Sequence, residues 1–258
     1  MNKKLQRFVS WILLAFLPLG SVLAAPAGQV TQSSGYVAVS SPTGAPKAVG
    51  SGTPIEEGQT VTLGDDAHAV IKFQDGQIIA LKSKSVFKVN SYKYDQASPE
   101  KGESFFSLLQ GGLRAVTGLI GANNKAGWKL ATPTATIGIR GTDFLLEIQQ
   151  GVYVKVTTGS VAATNGAGTV VYTVGQVGSI PAGTAIGTIV PASSLPAGMF
   201  VELNAIDLAA LGGSAAGSAA AASGTTFGVA TGVVVGIGVA AAAVVVIGNG
   251  ENGTTTHH

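Results

Sequence analysis

The sequence predicts an all-β domain, built as a short-stranded sandwich or roll or as a solenoid-like stack. Three observations point there. Between residues 51 and 180, short apolar or alternating runs recur, each closed by a glycine-bearing turn. No stretch in that region repeats its apolar residues at a helical period. The chain also has no cysteine, so a hydrophobic core must hold the domain without disulfides.

The elements follow in order. Residues 1–24 read as a secretory signal peptide: Lys3, Lys4 and Arg7, then the apolar run 8–19, then small residues Val22 and Ala24 at the exit. The run is short for a bilayer span, which takes about 20 apolar residues. No cysteine follows the cleavage site, which excludes a lipid-anchored lipoprotein. Residues 25–50, rich in Gly, Ser, Thr and Pro, read as a linker or a loosely attached first strand, with a strand candidate at 36–39.

The β domain spans 51–185. Strand candidates lie at 60–63, 67–73, 78–82, 86–94, 104–109 and 113–116. Asp75-Gly76 between two apolar runs is a hairpin signal, because these residues tolerate the positive φ of a tight turn. After Asn123-Asn124, candidates resume at 128–131, 136–139, 144–148, 152–156, 161–163 and 170–174. Residues 186–226 read as a Pro/Gly/Ala-rich linker with a short helix candidate at 199–211.

The segment 227–247 is 21 residues without a charge, long enough for one transmembrane helix. Gly228, Gly232, Gly236 and Ala240 recur every fourth residue, a small-residue stripe along which two helices can pack. This points to a membrane contact and to self-association. No Lys or Arg follows it, and Val and Gly are mediocre helix formers, so a self-associating hairpin or strand stays open. Residues 248–258 are a polar tail.

Composition narrows the function. Without Lys3, Lys4 and Arg7 the chain has 12 basic and 13 acidic residues, which removes any argument for nucleic acid as a partner. Every Lys and Arg lies at or before Lys155. Histidine occurs at 68, 257 and 258, so only His68 could serve a triad or an ordered metal site, and it reads as a strand-edge residue. Asp65-Asp66 and Glu56-Glu57 are adjacent pairs, which on a strand point to opposite faces and suit paired acid/base work poorly. Asp65, Asp66 and Asp75 match no calcium-loop spacing. No catalytic, metal or cofactor motif emerges, and the reading is a non-enzymatic protein.

One segment is specific. Residues 130–144, with Thr132, Pro133, Ala135, Gly138, Arg140, Gly141, Thr142, Asp143 and Phe144, resemble the signature of FecR-type domains, a Thr-Pro-x-Ala element followed by Arg-Gly-Thr-Asp-Phe. The resemblance extends in order from the 58–63 element through the 69–81 hairpin and Gly111-Gly112-Leu113-Arg114 to Gly159-Ser160-Val161 and Gly175-Gln176. Arg140 and Asp143 sit three apart around Gly141-Thr142, so a bidentate pair across the turn is expected; the alternative is that Arg140 recognises an anionic ligand.

The regulators that name this family relay signals across the inner membrane, with a periplasmic domain that meets an outer-membrane transporter and a cytoplasmic segment that controls a sigma factor. Here a signal peptide stands where that segment would be, so the resemblance implies a stand-alone exported member. The expected function is a periplasmic, membrane-tethered module that binds an envelope protein or glycan; the alternatives are a sensing component of a sigma-regulator system and, remotely, an envelope hydrolase.

Overall fold

The computed structural model describes residues 26–182 and 185–206. The signal peptide, the segment 227–247 and its stripe Gly228, Gly232, Gly236 and Ala240 lie outside the described residues. Among the described residues no helix is long and apolar enough to cross a membrane.

Among the described residues sixteen strands form one continuous sheet. They are β1 (Gly28–Ser34), β2 (Val37–Ser40), β3 (Lys47–Ala48), β4 (Pro54–Ile55), β5 (Thr60–Leu63), β6 (His68–Phe73), β7 (Ile78–Leu81) and β8 (Val86–Lys93). Then come β9 (Glu103–Gln110), β10 (Gly112–Val116), β11 (Trp128–Ala131), β12 (Thr136–Ile148), β13 (Gly151–Asn165), β14 (Gly168–Thr173), β15 (Val177–Pro181) and β16 (Thr188–Val190). Among the described residues two single-turn α-helices, α1 (Leu119–Asn123) and α2 (Val201–Ala205), accompany it. β9 and β11 run parallel, and every other ladder among the described residues is antiparallel.

The sheet has two wings joined by one bent hairpin. The first half of β12 pairs with β11 and leads through β9, β8, β5 and β2 to β3. Its second half pairs with β10 and leads through β7, β6 and β1 to β4. β13 follows β12 throughout, then carries β15 and β16 beside its first half and β14 beside its second.

The bend has a local cause. The register of β12 against β13 shifts between Arg140 and Phe144, where Gly141 has φ 59° and Gly159 opposite has φ 74°. The extra residues reverse which face points inward. Ile137 and Ile139 enter the core before the bulge, Phe144 and Leu146 after it. On β13 the inward set likewise changes from Val152, Val154 and Val156 to Val161 and Ala163. One hairpin thereby supplies core residues to both wings. The sequence reading broke both strands at these glycines; the backbone instead runs through them, because each accepts positive φ without leaving the ladder.

The wings close on each other over an aromatic row. Phe73 of β6 meets Phe106 of β9 with ring centroids 5.0 Å apart, and Phe87 stacks on Phe106 at 5.4 Å. Trp128 bridges Phe106 and Phe144 edge-on at 6.2 and 6.0 Å. Burying each such side chain contributes about 1.5–3 kcal/mol. The curled sheet is the form taken among the all-β alternatives.

Residues 28–48, left by the sequence as linker or loose first strand, form β1, β2 and β3. Val30, Val37 and Val39 belong to the core, so this stretch is an integral part of the sheet despite its polar composition. The helix expected over 199–211 is seen only as α2; residues 207–211 lie outside the described residues. β15 and β16 had no sequence-based counterpart. Residues 119–123 form α1, which is too short to register as an apolar period.

Candidate functional site

Two polar constellations stand out, one inside the roll and one on its outer surface. The inner one begins at the β6–β7 turn. Positive φ occurs at Gly76 alone, while Asp75 turns its side chain inward and is 2 % exposed. Its carboxylate accepts from the backbone N–H of Gln77 (3.2 Å) and Ile120 (3.1 Å) and from the Tyr92 hydroxyl (3.0 Å). Its carbonyl accepts from the Leu119 N–H at 2.8 Å. Asp75 therefore anchors the start of α1 to the hairpin. Burial pushes its carboxyl above the ordinary value, and the three hydrogen bonds oppose that push. Burial, then the Asp75 charge, raises the Tyr92 phenol as well. Beside them the Trp128 indole donates to Oε1 of Gln77.

The outer constellation sits on the second wing. Alternation along β6, β7, β10 and β12 leaves Val70, Ile78, Ala80, Val116 and Leu145 on the face opposite the aromatic row. The chain after β16 runs back across this face. Met199, Phe200 and Leu203 pack on Leu145 and Val177, and Ile206 reaches the group Val70, Ile78, Ala80 and Val116.

Charge locks this strap in place. Lys82 lies 3.2 Å from Glu147 and 3.6 Å from Glu202. Glu147, 2 % exposed, also accepts from the Phe200 N–H at 2.7 Å, at a residue with φ 64° that starts α2. Glu202 accepts from the Ser83 hydroxyl at 2.8 Å and the Ser83 N–H at 3.2 Å. Partial burial pulls the Glu202 carboxyl upward, but the Ser83 hydrogen bonds and the Lys82 charge outweigh it and hold it below the ordinary value. A cleft of about 490 Å³ opens beside the lock, lined by Gln32, Asp66, Ala67, His68, Lys82, Glu202, Ala205 and Ile206.

The cleft gathers His68 and Asp66 with Lys82 and Glu202, residues far apart in sequence. The missed partners, Lys82 and Glu202, carried no local motif. Asp65 instead faces Lys84 at 3.4 Å on the surface. Asp75 lies at the other end of β6 from Asp66, about 20 Å away at strand rise, so the three aspartates do not form one site. His68 is exposed, and its ring has no carboxylate partner among the described residues. The arrangement suits recognition of a polar surface, with no nucleophile–base pair in it. Among the described residues no group of His, Cys, Asp and Glu could hold a metal ion.

The signature residues sit at the bend and its approaches. Thr132-Pro133-Thr134-Ala135 is the turn between β11 and β12, closed by the Thr132 hydroxyl, which donates to the Ala135 carbonyl (2.8 Å) and accepts from its N–H (3.1 Å). Pro133 thus occupies a turn, where no ladder N–H is needed. Thr142 is buried in the bulge, where its N–H donates to the Thr117 hydroxyl at 2.9 Å. Phe144 enters the core, and Gly138 faces open space.

The expected Arg140–Asp143 pair does not form. Asp143 is held by Arg114 of β10, with Nε to Oδ1 at 2.9 Å and a second guanidinium nitrogen to Oδ2 at 2.7 Å. Arg140 and Asp143 flank the bulge, which leaves Arg140 exposed while Asp143 shares a face with Arg114. Arg114 stood in the Gly111–Arg114 element, but only the β10–β12 register shows that the two motifs meet.

Residues 59–162 match the family described as FecR protein. Two solved structures of a candidate anti-sigma factor from Parabacteroides distasonis, at 1.65 and 2.50 Å resolution, are similar at 15 % identity, with TM-scores of 0.39 and 0.40. Each match covers 51 % of this chain and 57 % of that one, so the chain spans little more than half the length of these proteins. Among curated proteins nothing matches. The residues matched by the FecR family, 59–162, are the strands that build and flank the bent hairpin.

Proposed function

We propose that the protein is a non-enzymatic module of the bacterial envelope that binds a protein or glycan partner beside the strap and relays that binding through it. The observation that carries this reading is the Lys82 bridge between Glu147 of the sheet and Glu202 of α2. Ile206, the last described residue of the strap, lines the open cleft, and the apolar segment 227–247 follows in sequence. A partner seated in the cleft that contacts Lys82 or Glu202 competes with the lock, so its binding shifts the strap between docked and released states. The basic and apolar N-terminus supports export to the periplasm. The uncharged segment 227–247 supports a membrane tether, with the Gly228–Gly232–Gly236–Ala240 stripe as a packing seam. The FecR match over residues 59–162 favours the sensing version of this role.

The test is site-specific photo-cross-linking in intact cells. A cross-linker at His68, in the cleft, should give a discrete adduct absent when it is placed at Lys101, an exposed residue outside the cleft lining. Glu202→Ala should change the adduct's yield. Equal adducts from both positions, or none from His68, would refute the cleft as the binding face.

A further inference from the structure

The outer face of the first wing carries an inference independent of the cleft and of the strap. Within the 132–144 motif, Thr132, Thr142, Asp143 and Phe144 are engaged in the turn, the bulge and the core. Arg140 is exposed and Gly138 has open space above it. Ile137 and Ile139 point into the core, so Gly138 and Arg140 share the outer face of β12. By the same alternation Lys129 of β11, Phe105 of β9 and Lys88 of β8 point outward, between the core residues Trp128 and Leu130, the buried Ser104 and Phe106, and Phe87 and Val89.

The ladders put these cations on one line. Lys129 lies beside Phe105 and, one step beyond the Leu130–Ile137 pair, opposite Gly138. Lys88 faces Ser107 on β9. Strand spacing and rise then set Lys88 about 12 Å from Lys129, and Lys129 about 8 Å from Arg140, along one diagonal of the face. None of the three has an ion-pair partner among the described residues. Charge on this wing is one-sided. Its strands, counting 136–140 of β12 and 157–165 of β13, hold Lys47, Lys88, Lys93, Lys129 and Arg140 against a single acid, Glu103. Lys93 already takes Glu103 at 3.1 Å.

We propose that this face binds an anionic polysaccharide chain laid along Lys88, Lys129 and Arg140. Exposed cations spaced this widely hold a small anion weakly, so the ligand they fit is a chain with repeated charges. Phe105, 40 % exposed beside Lys129, offers a ring against which the C–H face of a sugar packs. Beyond it the outward positions Thr136, Gly138, Ser160, Ala162 and Thr164 are small or hydroxyl-bearing. That surface suits a hydrated polar chain better than the apolar centre of a protein interface.

Fluorescence anisotropy of a labelled polygalacturonate oligosaccharide, titrated with the full chain in non-ionic detergent, tests this. Binding should weaken as salt is added. Lys129→Gln combined with Arg140→Gln should lower the affinity about tenfold, at up to about fivefold for each exposed ion pair lost. Lys101→Gln combined with Lys155→Gln removes the same charge away from this face and should lower it less than about twofold. Polyglutamate of equal charge should bind several-fold more weakly than the oligosaccharide, and Phe105→Ser should remove that difference. Neutral dextran should not bind. Matching urea midpoints of wild type and variants separate lost binding from lost folding. Undetectable binding of polygalacturonate, equal losses from the two double variants, dextran bound as tightly, or polyglutamate bound as tightly would each overturn the anionic-glycan surface.

Discussion

Gly159 faces the carbonyl oxygen of Gly141 across the β12–β13 bend so closely that no side chain fits between them. Both glycines have positive φ, and together they switch the inward face of both strands in one place. The two-winged roll depends on this contact, because one hairpin must feed two sheets of opposite alternation.

Gly159→Ala should accordingly be severe. It combines a left-handed backbone with a direct collision against Gly141 and Arg140 carbonyls, and should cost about 3 kcal/mol or more. Gly138→Ala, where a Cβ meets nothing, should change stability by less than about 1 kcal/mol. Urea unfolding of the two variants measures the contrast.

The two arginines should separate equally clearly. Arg114→Ala leaves the largely buried Asp143 carboxylate unpaired and should cost about 2–4 kcal/mol. Arg140→Ala removes an exposed side chain and should stay within about 0.5 kcal/mol. A double-mutant cycle of Arg114→Ala with Asp143→Ala should show coupling, and one of Arg140→Ala with Asp143→Ala should show none.

The extent to which the sequence announced this structure differs by element. β5, between Gly58 and Gly64, and β11, between Gly127 and Pro133, are legible with correct ends, since alternation and punctuation agree there. β12 and β13 were each read as two strands, because a glycine inside a ladder looks the same in sequence as a glycine that ends one. The strap lock was invisible: Lys82, Glu147 and Glu202 are 65 and 55 positions apart in turn, and no local pattern pairs them. The Arg114–Asp143 bond failed for the same reason, with the sequence offering Arg140 as the nearer partner. The Asp75-Gly76 turn was legible, but the burial of Asp75 under α1 was not, since it needs the whole roll to close.

Asp75 gives a pH dependence of definite sign. Its carboxyl is raised by burial in the folded chain, so the folded state holds that proton more tightly than the unfolded state does. The stability it contributes is full below its ordinary value of 3.8 and is lost as pH rises through the raised folded value. Asp75→Asn abolishes this titration. The stability of the wild type relative to the variant should therefore be greatest at the acid end and decline as pH rises through the range above 3.8. A difference that grew with pH would contradict the burial of this group.

Glu147 should be the strongest point of the strap. Glu147→Ala removes the acceptor of both the Lys82 ammonium and the Phe200 N–H, and should cost about 2–4 kcal/mol in thermal or urea unfolding. Glu202→Ala, at a half-exposed side chain, should cost no more than about 1 kcal/mol globally.

That small global cost makes Glu202 the right probe of the relay. The most direct measurement is amide hydrogen exchange of the full chain, wild type against Glu202→Ala, followed peptide by peptide and repeated at falling pH. Glu202 has a lowered carboxyl in the folded state, so its contribution is present above the ordinary value of 4.5 and disappears as pH falls through the lowered one. The account expects faster exchange confined to residues 190–206 in the variant, unchanged protection in β6, β7, β10 and β12, and the same local loosening of the wild type on acidification. Unchanged exchange in 190–206, or loosening spread evenly through the sheet, would contradict a strap held by the Lys82–Glu202 lock.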